Sequence, residues 1–283
     1  MSRSVGKFEP IHAAHAIEQV VFVLQFDRAL TPDAFASIKE CANQFKTDDD
    51  LPALIPIETQ EVAFSFGIAG GNAQQTQPPG RVSGLILRRI APNGAIAKEL
   101  RVEPHAITFI TSLYTRWDTI WAQANVYFNA LIPKYTAGEA NISGITLNYL
   151  DKFAWDGDIN SCNPNLLLRH GSKYLCPSIF EVKDLWHSHT GAFIRVDNNI
   201  KRLLNINVDC LDENRPEGLR RVVAVTTVLS NQLNQPGYEA YDFGNNDTVE
   251  FVNSHMQALH VLGNDVFANI INDEMCRRIN LIE

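Results

Sequence analysis

The residues of this chain that could do chemistry are few and scattered. The most suggestive pair is His187 and His189, which follow Trp186. In a strand, residues two apart face the same way, so both imidazoles could meet one metal ion. Asp184 is near in sequence and His170 a loop away. A zinc site needs three or four ligands, however, and no HExxH or His-plus-carboxylate pattern completes this pair. The plainer reading is an exposed strand face, and no metal is expected. His255 and His260 stand five apart on an expected helix, about 140° around it, and so do not converge. His260 falls in an apolar stripe and reads as a hydrogen-bonded packing residue.

Nucleophiles and phosphate cradles add little. GxSxG, GxGxxG and GxxxxGK[ST] are all absent. Cys176-Pro177 lies in a loop not far from His170 and His187, which leaves a Cys–His pair open without singling it out. Trp117 and Trp121 could form an aromatic platform with Tyr127, but their helical spacing is that of a buried face. Trp155-Asp156-Gly157-Asp158 lacks the spacing of a calcium loop. With no assembled constellation, the sequence leans away from an enzyme, and no cofactor is expected.

The elements that must position these residues can be read from pattern. Val20 to Phe26 is β-branched and aromatic, a buried strand. Thr31 caps a helix with Pro32 at its first position, running to about Phe45. Thr47 to Pro56 reads as loop, Glu61 to Ile68 as an alternating strand, and Gly70 to Gly80 as a mobile loop. Val82–Ile90, Ala95–Val102 and His105–Ile110 read as strands, with Asn93-Gly94 turning the first hairpin. Thr115 to Ile132 is a helix closed by Pro133. Ile142 to Leu150 is extended, and Asp151 to Ser178 is loop. Phe180–Val196, Arg202–Cys210 and Leu219–Ser230 are strands. Asp247 or Thr248 then caps a terminal helix reaching Met275. The pattern predicts one α+β domain over residues 1–283, a predominantly antiparallel sheet with long amphipathic helices on one face. Two similar halves, 1–150 and 178–283, joined by the loop region 151–177, are left open.

Lysine and arginine number 24 against 32 acidic residues, a formal charge of −8. That argues against nucleic acid, which needs a basic footprint. Pairs such as Arg88-Arg89 and Arg220-Arg221 fall in strands and point to opposite faces. Five scattered cysteines without CxxC suit a reduced compartment. The start has no apolar signal region, and the longest apolar run, Val20 to Leu24, is too short for a membrane span. A cytoplasmic location and no membrane association are expected.

The strand VVFVLQF with its Thr-Pro helix start, the phrase SLYTRWDTIW, ITLNYLDKF, and the terminal MQALHVLGNDVFANIINDEM occur in that order. Over nearly the whole chain they resemble a sporadically distributed bacterial family of uncharacterised proteins. The positions that carry the resemblance are Tyr114, Trp117, Asn148, Tyr149, His260, Phe267 and Ile270. Such a family brings no catalytic residues with it. Its patchy distribution implies accessory genes such as toxin neutralisers or defence factors. The leading expectation is therefore a non-enzymatic cytoplasmic binding protein, antitoxin- or immunity-like, acting on a protein partner and open to homodimerisation. The alternative is a small-ligand binder or enzyme with a pocket between sheet and helices, lined by Trp117, Trp121, Trp186, His187 and His189.

Overall fold

Alternation of apolar and polar side chains drives ten segments of this chain into strands, and the computed structural model pairs them into one sheet. It describes residues 6–47, 50–59, 81–215, 218–243 and 247–281. The strand expected over Glu61–Ile68 and the loop expected over Gly70–Gly80 lie outside the described residues. The strands are β1 (Lys7–Pro10), β2 (Ile17–Phe26), β3 (Ala53–Thr59), β4 (Arg81–Ile90) and β5 (Ile96–Glu103). They continue with β6 (Ala106–Thr111), β7 (Ile142–Asp156), β8 (Trp186–Arg195), β9 (Ile200–Arg215) and β10 (Gly218–Leu233). The helices are α1 (Pro32–Ala42), α2 (Trp117–Thr136), α3 (Thr248–Ile270) and α4 (Asp273–Arg278). The fold is α+β.

The strand order is β3-β4-β5-β6-β2-β7-β10-β9-β8, with β1 pairing the far end of β7. Every ladder is antiparallel. The central pair, β2 and β7, is thus flanked on each side by a meander whose last strand returns to it. Strand β7 runs six residues past the expected end at Leu150. The reason is that Phe153 and Trp155 extend the inward register of Leu147 and Tyr149, and all four are buried. Asp151 occupies the same register, so it stands inside the sheet rather than in a loop.

Four further boundaries differ from the sequence reading. Pro56 sits in β3, which is tolerated because β3 ends the described strand path and no described neighbour on its far side needs the missing N–H. Residues 177–180 form a 3-10 turn, so β8 begins only at Trp186. The terminal helix breaks at Ile271, which bridges Leu168, while Asn272 caps α4 by accepting from the Met275 N–H. Helix α2 also passes through Pro133 to Thr136.

Helices α2 and α3 pack on the face bearing Phe22, Phe109, Tyr149 and Leu229. The indoles of Trp117 and Trp121 stack at 5.7 Å and lie 5.9 and 5.7 Å from Phe22. Trp117 Nε1 donates to Gln257 Oε1 at 2.7 Å, and Trp121 Nε1 to Asn253 Oδ1 at 2.8 Å. Since Asn253 and Gln257 are four apart, one face of α3 satisfies both indoles. Burying each such ring stabilises the fold by roughly 2–3 kcal/mol before entropic costs.

Candidate functional site

A cavity of about 420 Å³ opens between the α3 face of the sheet, the link from β6 into α2, and the C-terminal residues 279–281. Its floor comes from three strands: Ile17 of β2, Tyr149 and Asp151 of β7, and Thr227 of β10. Here β2 carries a register irregularity, since Ile17 opposes Asp151 but Gln19 opposes Leu150. Bulges of this kind re-aim side chains and occur beside functional sites. One wall is α3, contributing His260, Asn264 and Phe267 on successive turns, and Tyr114, Arg116 and Trp117 form the opposite wall.

Asp151 is 3% exposed, and no described group donates a hydrogen bond to its carboxylate. Burial alone raises its pKa to about 8. No cation offsets that effect, so at neutral pH the carboxyl mostly keeps its proton. Beside it, Thr227 Oγ1 and His15 Nδ1 are buried without a hydrogen-bond partner. Burial also lowers the pKa of His15, with help from the neighbouring His12, and so favours the neutral ring. Buried polar groups are normally satisfied, so two orphans lining one cavity beside a carboxyl whose burial nothing offsets are unusual.

On the α3 wall, His260 is engaged at both ring nitrogens. Tyr149 Oη and His260 Nδ1 are 2.9 Å apart, and Asn264 Nδ2 lies 3.2 Å from His260 Nε2. With Asn264 donating to Nε2, the imidazole carries its proton on Nδ1 and donates to Tyr149, whose own hydroxyl proton is then free. Desolvation lowers the His260 pKa to about 4, so the ring is neutral. It stacks on Trp117 at 4.0 Å and 2°. Tyr149 is raised well above its ordinary pKa by burial, then by Tyr114 and Asp151. Tyr114 is raised by the same two causes, burial first and Asp151 second. The site can therefore hold or pass a proton at Asp151 and present aromatic faces to a bound molecule.

The five residues singled out from sequence do not meet here. Trp117 lines the cavity, and Trp121 lies behind it in the α2–α3 contact. Trp186, His187 and His189 belong to β8 at the end of the strand path. There His187 and His189 are exposed, and His189 Nε2 lies 2.6 Å from Asn205 Oδ1. His170 instead contacts Asn165 and stacks on Phe180. Among the described residues no group of three metal-ligating side chains converges. His255 meets Asn231 and His260 meets Tyr149, so the two histidines of α3 serve different neighbours. Of the seven positions carrying the family resemblance, Tyr114, Trp117, Tyr149, His260 and Phe267 all line the cavity. Sequence reasoning missed Asp151 and Thr227. An acid at the inward position of Leu147-x-Tyr149-x-Asp151-x-Phe153 was the signal that could have found the first. No protein-family model matches the chain, and no curated protein matches it in sequence.

Proposed function

We propose that this protein binds a small organic ligand in the cavity between β2, β7, β10 and α3. The observation that carries this reading is the unpartnered Asp151, buried beside the orphan Thr227 hydroxyl and His15 Nδ1. Leaving such groups unsatisfied costs roughly 1–3 kcal/mol each, and a bound molecule that pairs them recovers that cost. The volume also suits a metabolite-sized molecule. The test is native mass spectrometry of protein isolated gently from its own cells, set against the denatured chain. A stoichiometric small increment that is lost on denaturation and absent from Thr227→Leu, which fills the floor, is the expected result. A bare chain from every preparation would count against the ligand.

The neutralisation of a protein partner, as by an antitoxin or immunity factor, is the second reading. It is favoured by the far half of β8, which ends the strand path with Phe193 and Ile194 exposed. The near half is covered by residues 174–176, through Thr190 Oγ1 to the Tyr174 carbonyl and the Cys176 N–H to Ser188 Oγ. A second chain, foreign or a copy of this one, would add at the far half, which among the described residues pairs with β9 alone. A discrete second polypeptide in the same spectrum would move the assignment there. The meander on each side of β2–β7 supports the reading of two similar halves.

A further inference from the structure

Resting on the ligand-pocket reading above, the chemistry of the cavity floor narrows the class of ligand. A carboxylate buried in a mostly apolar setting is costly unless a cation or several donors meet it. No described residue supplies either to Asp151. Its two neighbours can accept as well. Thr227 Oγ1 and the Nδ1 of His15 have no hydrogen-bond partner. Three groups able to accept thus line one cavity, and no described residue makes a hydrogen bond to any of them. A primary ammonium group carries three N–H donors and one positive charge.

The walls agree with that headgroup. Tyr114 and Tyr149 approach edge to face with centroids 6.5 Å apart, and Trp117 stands beyond them against His260. Aromatic faces attract a cation that has left water. Further out, Ile17, Phe267, Ile279 and Leu281 line the space, which suits an apolar body. The charged groups at the rim are Arg116 and Asp118, of opposite sign, so the entrance has no net bias against a cation. His260 faces the site as a neutral ring.

We propose that the cavity binds a small organic amine, its ammonium group paired with Asp151, Thr227 and His15 and its apolar body held among Phe267, Ile279 and Leu281. On binding, the ammonium takes the place of the proton that Asp151 otherwise holds, and that proton passes to solvent.

The experiment uses the full chain and three primary amines of increasing size: butylamine, benzylamine and 2-phenylethylamine. Each is compared with the alcohol and the carboxylate of matching skeleton, by calorimetry and by NMR shifts of cavity residues at neutral pH. At least one amine should bind about tenfold or more tightly than its alcohol, the ratio expected of one charged hydrogen-bonded contact. Its heat should depend on the buffer's ionisation enthalpy, with close to one proton released per amine. Asp151→Asn, which keeps the shape and removes the charge, should lose that preference while still binding the alcohol. Thr227→Val should weaken the amine without abolishing proton release. Equal binding of amine and alcohol, a preference for the carboxylate, or undiminished amine binding by Asp151→Asn would overturn the amine assignment and leave the ligand pocket standing. If no member of any series shifts a cavity resonance at millimolar concentration, the pocket reading falls with it.

Discussion

Asp151 leaves a pH signature that can be read without any ligand. Folded, it holds its proton to about pH 8; unfolded, it releases it near the ordinary value of 3.8. Between these limits the folded state binds more protons, so its contribution to stability falls as pH rises, by roughly 1.4 kcal/mol per pH unit. His260 acts oppositely. Its folded pKa is about 4 against an ordinary 6.5, so the stability present above 6.5 is lost as pH falls toward 4. His15 and His255 are lowered too, chiefly by burial, and add to that loss. Stability should therefore peak near 6.5 and decline toward 8 through Asp151. Urea denaturation across this range should show the decline in the wild type and a flat profile in Asp151→Asn; an equal decline in both would refute the assignment. Thr227→Val tests the neighbouring orphan. Replacing an unsatisfied buried hydroxyl with a methyl should raise stability by about 1 kcal/mol in the unliganded protein.

Among the elements, glycines distinguish places where the backbone must pass closely from places where it need not. At Gly84 in β4, an added Cβ would meet the Val102 carbonyl oxygen at 2.5 Å. Gly84→Ala should force β4 from β5 and cost about 1–3 kcal/mol. At Gly263 in α3, a Cβ would touch only the Tyr149 ring and Leu229, at 3.4 and 3.5 Å, which is ordinary contact. Gly263→Ala should thus gain up to about 1 kcal/mol from helix propensity. Thermal melts of the two variants should move in opposite directions. Signals that act locally were legible in the sequence: Thr31 accepts from the Ala34 N–H, Asp247 from the N–H groups of Val249 and Glu250, and Gly94 adopts φ 84° in its turn. What was not legible is set at long range. The break after Ile270 depends on the bridge from Leu168 to Ile271. The last third of β7 depends on β1 and β10 pairing with it and on Phe8 packing against Trp155 at 5.0 Å. Composition marked that stretch as loop because Asp and Gly are loop residues on average. The same error hid Asp151, since an acid in a buried register looks like a turn until its strand is known.

At the scale of the molecule, one sheet carries both the site and the stability. Strands β2 and β7 lie at the centre of the path, and β7 is paired with β2 and β10 along most of its length. Unfolding them exposes both meanders at once, whereas β3 and the far half of β8 have a neighbour on only one described side. Free energies of local opening in such a protein run from near zero at edges to the global value at the centre. Native-state hydrogen exchange should therefore find the slowest amides in β2, β7 and β10, at Phe22, Leu147 and Leu229. Residues 193–195 of β8 should exchange orders of magnitude faster. The cavity floor would then stand on the least mobile strands, and its walls, α3 and the 112–116 link, on elements that open at lower cost. A ligand that bridges floor and walls must bind the closed arrangement better than the open one, and so must slow exchange in α3 and the link while leaving the centre of β7 limited by global unfolding. If saturating amine instead protected β8 alone, the site would lie at the sheet edge, and the buried floor at Asp151 would have to be explained without a ligand.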